Sequence, residues 1–175
     1  MTWKSFHRRG EILRTVIETA DARRDGVLPM DVPGVRETFD DELALLGALH
    51  LRWHTRLSGR IERELVGRPH DPEGAVVAAW IRTAEELPGV RAIVDHYRSA
   101  PLDAAMAEAM AKATANERVL LAVMAGQAGT HDPAAAQVGA VLEERARAAF
   151  RPFRQFRAAR PHPGLLGRIR AALVA

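Results

Sequence analysis

Residues 39–65, FDDELALLGALHLRWHTRLSGRIEREL, carry an apolar side chain at steps of three or four residues. This apolar stripe consists of Phe39, Leu43, Leu46, Leu49, Trp53, Leu57, Ile61 and Leu65. At about 100° per residue these side chains share one side of a helix, as in a helix that packs one face into a bundle. The pattern therefore predicts a long helix from about Val35 to Val66, which Gly67 and Pro69 end.

Apolar periodicity predicts four more helices along the chain. Their expected bounds are Thr2–Arg24, Pro72–Arg98, Pro101–Gln127 and Pro133–Arg151. No segment of the sequence shows the sustained alternation of a β-strand. Because the connections are short, neighbouring helices should run in opposite directions. The sequence thus predicts an all-α fold, an up-down antiparallel bundle of four to five helices with a basic, Pro-containing C-terminal arm.

Particular residues mark where these helices should begin and break. Asp71 and Asp132 each precede a proline, so each should act as an N-cap with the proline at the first helical position. Asp31 is expected to cap the long helix. Pro88 cannot donate a backbone hydrogen bond, and the helix over residues 72–98 should therefore kink or break there.

Acidic and basic side chains are segregated along the chain. Residues 1–144 carry 22 acidic and 17 basic side chains, whereas residues 145–175 carry eight arginines and no acid. An acidic body joined to a cationic end indicates that the end meets something anionic. We divide the chain into a helical bundle domain over residues 1–150 and an Arg-rich C-terminal arm over residues 151–175, which ends in a short amphipathic stretch.

The C-terminal arm is the candidate partner-binding segment. Its candidate contact residues are Arg151, Phe153, Arg154, Phe156, Arg157, Arg160, Arg168 and Arg170. The leading interpretation is that the arm docks on the acidic body or on a protein partner, and a second copy of the chain is a further candidate. Arginines with phenylalanines are also typical of nucleic-acid binding through phosphate contacts and base stacking. An anionic membrane surface is the weakest interpretation, because the amphipathic end is short and has no lipidation motif.

Several classes of function have no support in the sequence. The absence of cysteine excludes disulfides, thiolate nucleophiles and Cys-ligated metal sites. There is no Gly-rich phosphate loop and no Gly-x-Ser-x-Gly elbow, so we expect a non-enzymatic protein without a cofactor. No apolar run approaches the roughly 18 residues of a membrane span, and the N-terminus is too charged for a signal peptide. A cytoplasmic location is therefore expected.

Polar side chains fall on two of the predicted apolar faces. His50 lies at the centre of the stripe over residues 39–65, His54 lies at its flank, and Glu117 lies on the inner face of a later helix. Two histidines at i and i+4 with a carboxylate from another helix could ligate Fe, Mn or Zn, as in a ferritin-like or hemerythrin-like bundle. Against this alternative, no histidine follows a glutamate by three residues, as the di-iron signature requires. A hydrogen-bonded His–Glu pair that fixes helix register, or a polar ligand pocket, explains the same pattern.

Helical wheels assign the remaining polar residues. Glu64 and Asn116 are expected on inner faces, whereas Asp95 and His96 are expected at the surface. All three tryptophans are expected in the core. Four arginines of the long helix should form a solvated, partly paired face, with an anion-binding ridge as the alternative; they are Arg52, Arg56, Arg60 and Arg63.

Five stretches of the sequence are distinctive when taken together. They are WKSFHRRGE (3–11), DARRDGVLPMDVPGV (21–35), LRWHTRLSGRIER (51–63), ELPGVRAIVDHYR (86–98) and AMAKATANERVLLAVMAGQAG (109–129). In these stretches the chain resembles a family of uncharacterised actinobacterial proteins. The resemblance covers roughly residues 1–150 and leaves out the arm. It implies an actinobacterial setting and a helical fold, and it carries no catalytic residues to this chain.

Overall fold

The computed structural model describes the backbone from Trp3 to Phe150 and the side chains from His7 onward. Seven helices and no strand lie within these residues. The helices are α1 (Trp3–Arg23), α2 (Val35–Thr38), α3 (Glu42–Gly67), α4 (Pro72–Glu86), α5 (Pro88–Ser99), α6 (Ala104–Met124) and α7 (Ala135–Ala149). The predicted all-α helical bundle is confirmed, and the core position predicted for the Trp3 side chain lies outside the described side chains.

The long helix begins later than predicted. Only the single turn α2 forms before the chain becomes extended at Phe39, and α3 begins three residues further on, at Glu42. Asp41 caps α3, because its carboxylate accepts a hydrogen bond from the Ala44 amide at 2.7 Å. The prediction of one continuous helix was wrong because Phe39 and Leu43 keep a four-residue spacing whether or not the chain between them is helical.

The connection between α1 and α2 corrects the predicted cap at Asp31. Gly34 occupies the N-cap position of α2 with a left-handed φ of +86°, which glycine adopts without steric cost. Asp31 instead forms an ion pair with Arg23 at 2.5 Å. Leu28 and Val32, from the same connection, are buried in the core. The connection is therefore held by packing and by a surface ion pair.

Pro88 divides the third predicted helix, as the sequence indicated. α4 ends at Glu86, Leu87 has a non-helical backbone with ψ of 55°, and Pro88 is the first residue of α5. Asp71 caps α4 by accepting a hydrogen bond from the Gly74 amide at 2.9 Å. The predicted break and the predicted cap are both confirmed.

The last two helices are shorter than predicted. Asp103 caps α6 by accepting a hydrogen bond from the Met106 amide at 2.8 Å. Asp132 does not cap α7. Its carboxylate accepts from the Ala134 amide at 2.8 Å, which closes a turn, and α7 begins after that turn without a side-chain cap. The predicted start of the last helix is therefore two residues too early.

Two glycines allow neighbouring helices to approach closely. A Cβ atom on Gly89 would overlap the backbone of Ala20 in α1, and one on Gly139 would overlap the backbone of Arg118 in α6. The Gly89 amide also donates a hydrogen bond to the Asp21 carboxylate at 2.7 Å. α5 therefore packs on α1, and α7 on α6, at separations that exclude any larger residue at these two positions.

Ion pairs join α3 to α4 and show that the two helices are antiparallel. Arg60 pairs with Glu86 at 2.7 Å, and Glu64, further along α3, pairs with Arg82, earlier in α4, at 3.1 Å. Arg56 also pairs with Glu86. Two of the four arginines of the predicted partly paired face are thus bound to one carboxylate.

The core forms around Trp53 and Trp80, whose rings meet edge to face at 5.7 Å and are almost fully buried. Leu45, which the sequence stripe omitted, is fully buried. Leu102 and Val141, which lie within the predicted helices, are 61% and 58% exposed, because α6 starts after the first and Leu142 takes the inner position beside the second. None of the helices in the described part of the chain is long and apolar enough to cross a membrane.

Candidate functional site, a buried glutamate between two tryptophans

Glu117 places a carboxylate inside the bundle, where three helices meet. The residue is 4% exposed and lies in the fourth turn of α6, facing α3 and α4. The indole Nε1 of Trp53 donates a hydrogen bond to Oε2 at 3.1 Å, and that of Trp80 donates to Oε1 at 3.2 Å. Each carboxylate oxygen therefore has an indole donor, which satisfies the polar atoms that the two tryptophans bring into the core.

Arg91 supplies the positive charge beside this carboxylate. The side chain, from α5, is 5% exposed, and its Nη1 lies 3.4 Å from Oε1 of Glu117. Its guanidinium carbon lies 4.7 Å from the centre of the Trp53 ring, within reach of a cation–π interaction. Sequence reasoning missed Arg91, because nothing in the spacing of α5 shows that so long a side chain reaches inward.

His50 approaches the same carboxylate from α3. Its Nε2 lies 3.9 Å from Oε2 of Glu117, and the side chain is 13% exposed. Burial lowers the pKa of His50 below its ordinary 6.5; the Glu117 charge raises the pKa, while Arg91 and His54 lower it further. The imidazole is therefore neutral at pH 7. The structure thus brings the predicted His–Glu pair together, at a distance longer than a hydrogen bond.

The predicted metal ligands His50, His54 and Glu117 do not form a recognisable metal site. Within the described residues, no group of three or more His, Asp or Glu side chains is arranged to hold a metal ion. Both Glu117 oxygens accept hydrogen bonds from indoles, and the Arg91 cation stands next to them. Binding of Fe, Mn or Zn stays a prediction, which elemental analysis of protein purified without an affinity tag would test.

A second set of ion pairs extends from Arg91 toward α7. Asp95 accepts from Arg91 Nη2 at 2.6 Å and from two nitrogens of Arg147 at 2.6 and 2.9 Å. Burial raises the pKa of Asp95, but these arginines outweigh it and the pKa is lowered overall. Asp95, predicted at the surface, keeps 35% of its side chain exposed although its charge is paired, and its neighbour His96 is exposed as expected.

Glu143 forms ion pairs with three arginines in the same region. It is 3% exposed and pairs with Arg98 at 2.6 Å, Arg118 at 2.9 Å and Arg147 at 2.8 Å. Burial raises the pKa of Glu143, but hydrogen bonds from Arg118, Arg98 and Arg147 outweigh that effect and lower it to about 2. α5, α6 and α7 are thus connected through one carboxylate.

A cleft of about 420 Å³ opens onto this network. Arg91 and Asp95 form part of its lining, Arg24 and Glu85 are exposed beside them, and Phe150 contributes an apolar wall. The cleft is large enough for a small ligand, since ligand pockets begin at about 300 Å³. Because Arg91 and Asp95 line the cleft, it brings solvent or a ligand close to these two charged side chains.

The other predicted site residues have separate positions. Asn116, predicted on an inner face, is exposed, and Glu64 is half-buried in its ion pair with Arg82. Two arginines counted with the basic end belong to the body, since Arg145 pairs with Glu73 at 2.8 Å and Arg147 binds Asp95. The predicted contact residues of the arm lie outside the described residues; they are Arg151, Phe153, Arg154, Phe156, Arg157, Arg160, Arg168 and Arg170.

Comparison with known proteins gives no relative for this chain: no family model matches it, and no curated protein or solved structure is significantly similar to it. The resemblance to actinobacterial proteins therefore stays a prediction.

Proposed function

We propose that this protein is a non-enzymatic helical scaffold that binds an acidic protein partner through its C-terminal arm, residues 151–175. The observation that carries the proposal is the contrast in charge compensation. Ten of the seventeen arginines between residues 7 and 150 form ion pairs with carboxylates of the bundle. The arm carries six arginines and no acid, so its counter-charges must come from outside the arm.

The bundle offers the arm a firm point of attachment. Phe150, the last described residue, meets the ring of Trp80 edge to face at 6.1 Å. Three residues before Phe150, Arg147 binds carboxylates of α5 and α7, and two residues earlier still, Arg145 binds a carboxylate of α4. A cationic segment that starts from a fixed position on a rigid body is suited to guide encounter with an acidic surface.

The arm's composition favours a protein over a nucleic acid as partner. Its last twelve residues, GLLGRIRAALVA, place leucines and an isoleucine on one side and Arg168 and Arg170 on the other, if helical. Apolar anchors of this kind fit a groove on a protein surface, whereas nucleic-acid binding relies on phosphate contacts and on base stacking with aromatic side chains. Phe153 and Phe156 suit either partner, and the experiment below distinguishes the two.

The test compares the full chain, a chain that ends at Phe150, and two matched triple variants. One variant replaces Arg154, Arg157 and Arg160 of the arm with glutamine. The other replaces three exposed arginines of the bundle with glutamine, namely Arg36, Arg52 and Arg63. Each is used to capture partners from a lysate, and the protein that mass spectrometry identifies is then purified and titrated by calorimetry. We expect truncation to abolish binding, the arm triple to weaken it about tenfold or more, and the body triple to change it about twofold at most.

Two outcomes would contradict the proposal. If the chain that ends at Phe150 binds the partner as well as the full chain, the arm is not the binding segment. If nuclease removes the captured material and binding falls with salt at a log–log slope steeper than about −4, the partner is a nucleic acid. A melting temperature within about 2 °C of the full chain would show that the truncated protein still folds.

A further inference from the structure

Beside the cleft, the Arg91 side chain carries a buried donor that the ion-pair network leaves unused. Arg91 is 5% exposed; its Nη1 is directed to Glu117 and its Nη2 to Asp95. Its Nε–H is buried and has no hydrogen-bond acceptor among the described residues. A buried unpaired donor is costly in a core, and here its side chain lines a cleft that a ligand can enter. If the Arg91 side chain turns slightly toward the cleft, an acceptor atom there satisfies this donor.

Arg24, on the same cleft, has a backbone conformation that arginine does not favour. Its φ is +52°, and it is the one non-glycine residue with positive φ in the described part of the chain. The position follows the last residue of α1, with the Arg24 amide bonded to the Ala20 carbonyl at 2.8 Å, a site where helices usually have glycine. Strained residues of this kind concentrate at binding sites, and Arg24 holds a guanidinium at the rim of the cleft.

The remaining walls of the cleft are largely apolar. Ala84, Pro88, Ala92 and Phe150 line it. The charge of Asp95 is already matched by Arg91 and Arg147, so it does not repel an anion strongly. Glu85 is exposed at the mouth and disfavours a second negative charge on a ligand. The cleft therefore combines two arginine donors, an apolar surface and selection against dianions.

We propose that this cleft binds a small monocarboxylic acid with an apolar body. The carboxylate lies between the Arg24 guanidinium and the Arg91 side chain, whose Nε–H turns from its buried position toward the cleft to donate a charge-assisted hydrogen bond. The apolar body packs against Pro88, Ala92 and Phe150. Phe150, which lines the cleft, is also the last residue before the C-terminal arm in the sequence. The binding of the acid does not depend on what the arm binds.

The probe is phenylacetate, titrated into the full chain by calorimetry and by amide-resolved NMR, with phenylacetamide and phenethylamine as matched neutral and cationic ligands. We expect phenylacetate to bind with a Kd below about 1 mM. The amide and the amine should bind at least about tenfold more weakly than phenylacetate, because neither carries the negative charge that Arg24 and Arg91 recognise. Shifted amides should cluster at residues 84–95.

Arg24 variants separate charge from backbone strain. Arg24→Gly should weaken phenylacetate binding about tenfold and raise the melting temperature by about 2–4 °C, since glycine adopts positive φ freely. Arg24→Gln should weaken binding without that rise. Ala92→Leu, which fills the cleft, should abolish binding, whereas Arg36→Gln and Ala105→Leu, both exposed and outside the cleft, should not change it.

Three results would each overturn the proposal. The first is equal affinity for the acid and its amide. The second is no detectable binding of phenylacetate at about 10 mM, roughly ten times the highest Kd expected. The third is an Arg24→Gly protein with unchanged affinity for phenylacetate.

Discussion

At the scale of single residues, a carboxylate inside a helical core is tolerated only if its charge and its lone pairs are both matched. Glu117 meets this condition through the Arg91 cation and the indole donors of Trp53 and Trp80. The helical wheel predicted that Glu117 and His50 face inward, because that depends only on periodicity. It could not predict Arg91, whose contribution depends on the reach and direction of a long side chain.

We expect Glu117→Gln to lower the free energy of unfolding by about 3–5 kcal/mol, because it leaves the buried Arg91 without its counter-charge and turns an amide NH₂ toward an indole donor. Urea unfolding measures the change. Glu108→Gln, at an exposed position of the same helix, is the control and should change the free energy by about 0.5 kcal/mol or less. A loss below about 1 kcal/mol at Glu117 would mean that its hydrogen bonds and ion pair do not support the core.

His50 gives a pH dependence whose sign follows from its lowered pKa. The unfolded chain binds a proton near pH 6.5, while the folded chain binds it only at lower pH. The unfolded state therefore holds more protons below pH 6.5, and stability must fall as the pH drops from 7 toward 5. NMR titration should place the His50 pKa below 6.5, and His50→Gln should reduce the slope of stability against pH in this range. A His50 pKa above 6.5 would contradict the assigned burial.

At the scale of helices, the sequence predicted which segments are helical better than it predicted the residues at which each helix begins and ends. Apolar spacing located every long helix, and Pro88 marked the break between α4 and α5. The spacing could not reveal the break at Phe39, since a buried residue on either side of a turn keeps the same interval. Asp41 was the available signal, because an N-cap followed by an acidic first turn, here Glu42, starts a helix.

The two Asp-Pro sequences show why a start signal needs its context. Asp71 accepts from the amide three residues on and begins α4, whereas Asp132 accepts from the amide two residues on and closes a turn. The choice between these hydrogen bonds depends on where the following helix packs. For α7 that position is set by Gly139 against Arg118, a long-range contact that local sequence does not contain.

This contact leads to a prediction for α7. Gly139→Ala should destabilise the protein by about 3 kcal/mol, because the new Cβ overlaps the Arg118 backbone and α7 must move away from α6. Gly47→Ala is the matched control: it lies within α3 with nothing near its Cβ position, so it should stabilise the protein by about 0.5–1 kcal/mol through helix propensity. Thermal and urea unfolding of both variants measure the difference. Equal effects would show that α6 and α7 are not in close contact.

At the scale of the whole molecule, charge connects helices that are distant in the sequence. Asp95 joins α5 to α7 through Arg147, and Glu143 joins α7 to α5 and α6 through Arg98 and Arg118. The sequence showed that acidic and basic side chains are segregated along the chain, but it could not show which arginines form ion pairs with carboxylates of the bundle. This pairing assigns Arg145 and Arg147 of the basic end to the bundle, and the other six arginines of that end follow residue 150 in the sequence.

The acid stability of the molecule should reflect this network. The pKa of Glu143 falls from its ordinary 4.5 to about 2, so its stabilisation is complete above pH 4.5 and is lost as the pH falls from there through about 2. Glu143→Gln should therefore be less stable than wild type at pH 7 and show a shallower decline of unfolding free energy between pH 5 and 2. Glu144→Gln, its exposed neighbour, should keep the wild-type decline. If the Glu143 variant declines as steeply as wild type, the three arginines do not hold that carboxylate in its charged form, and α7 is fixed by packing alone.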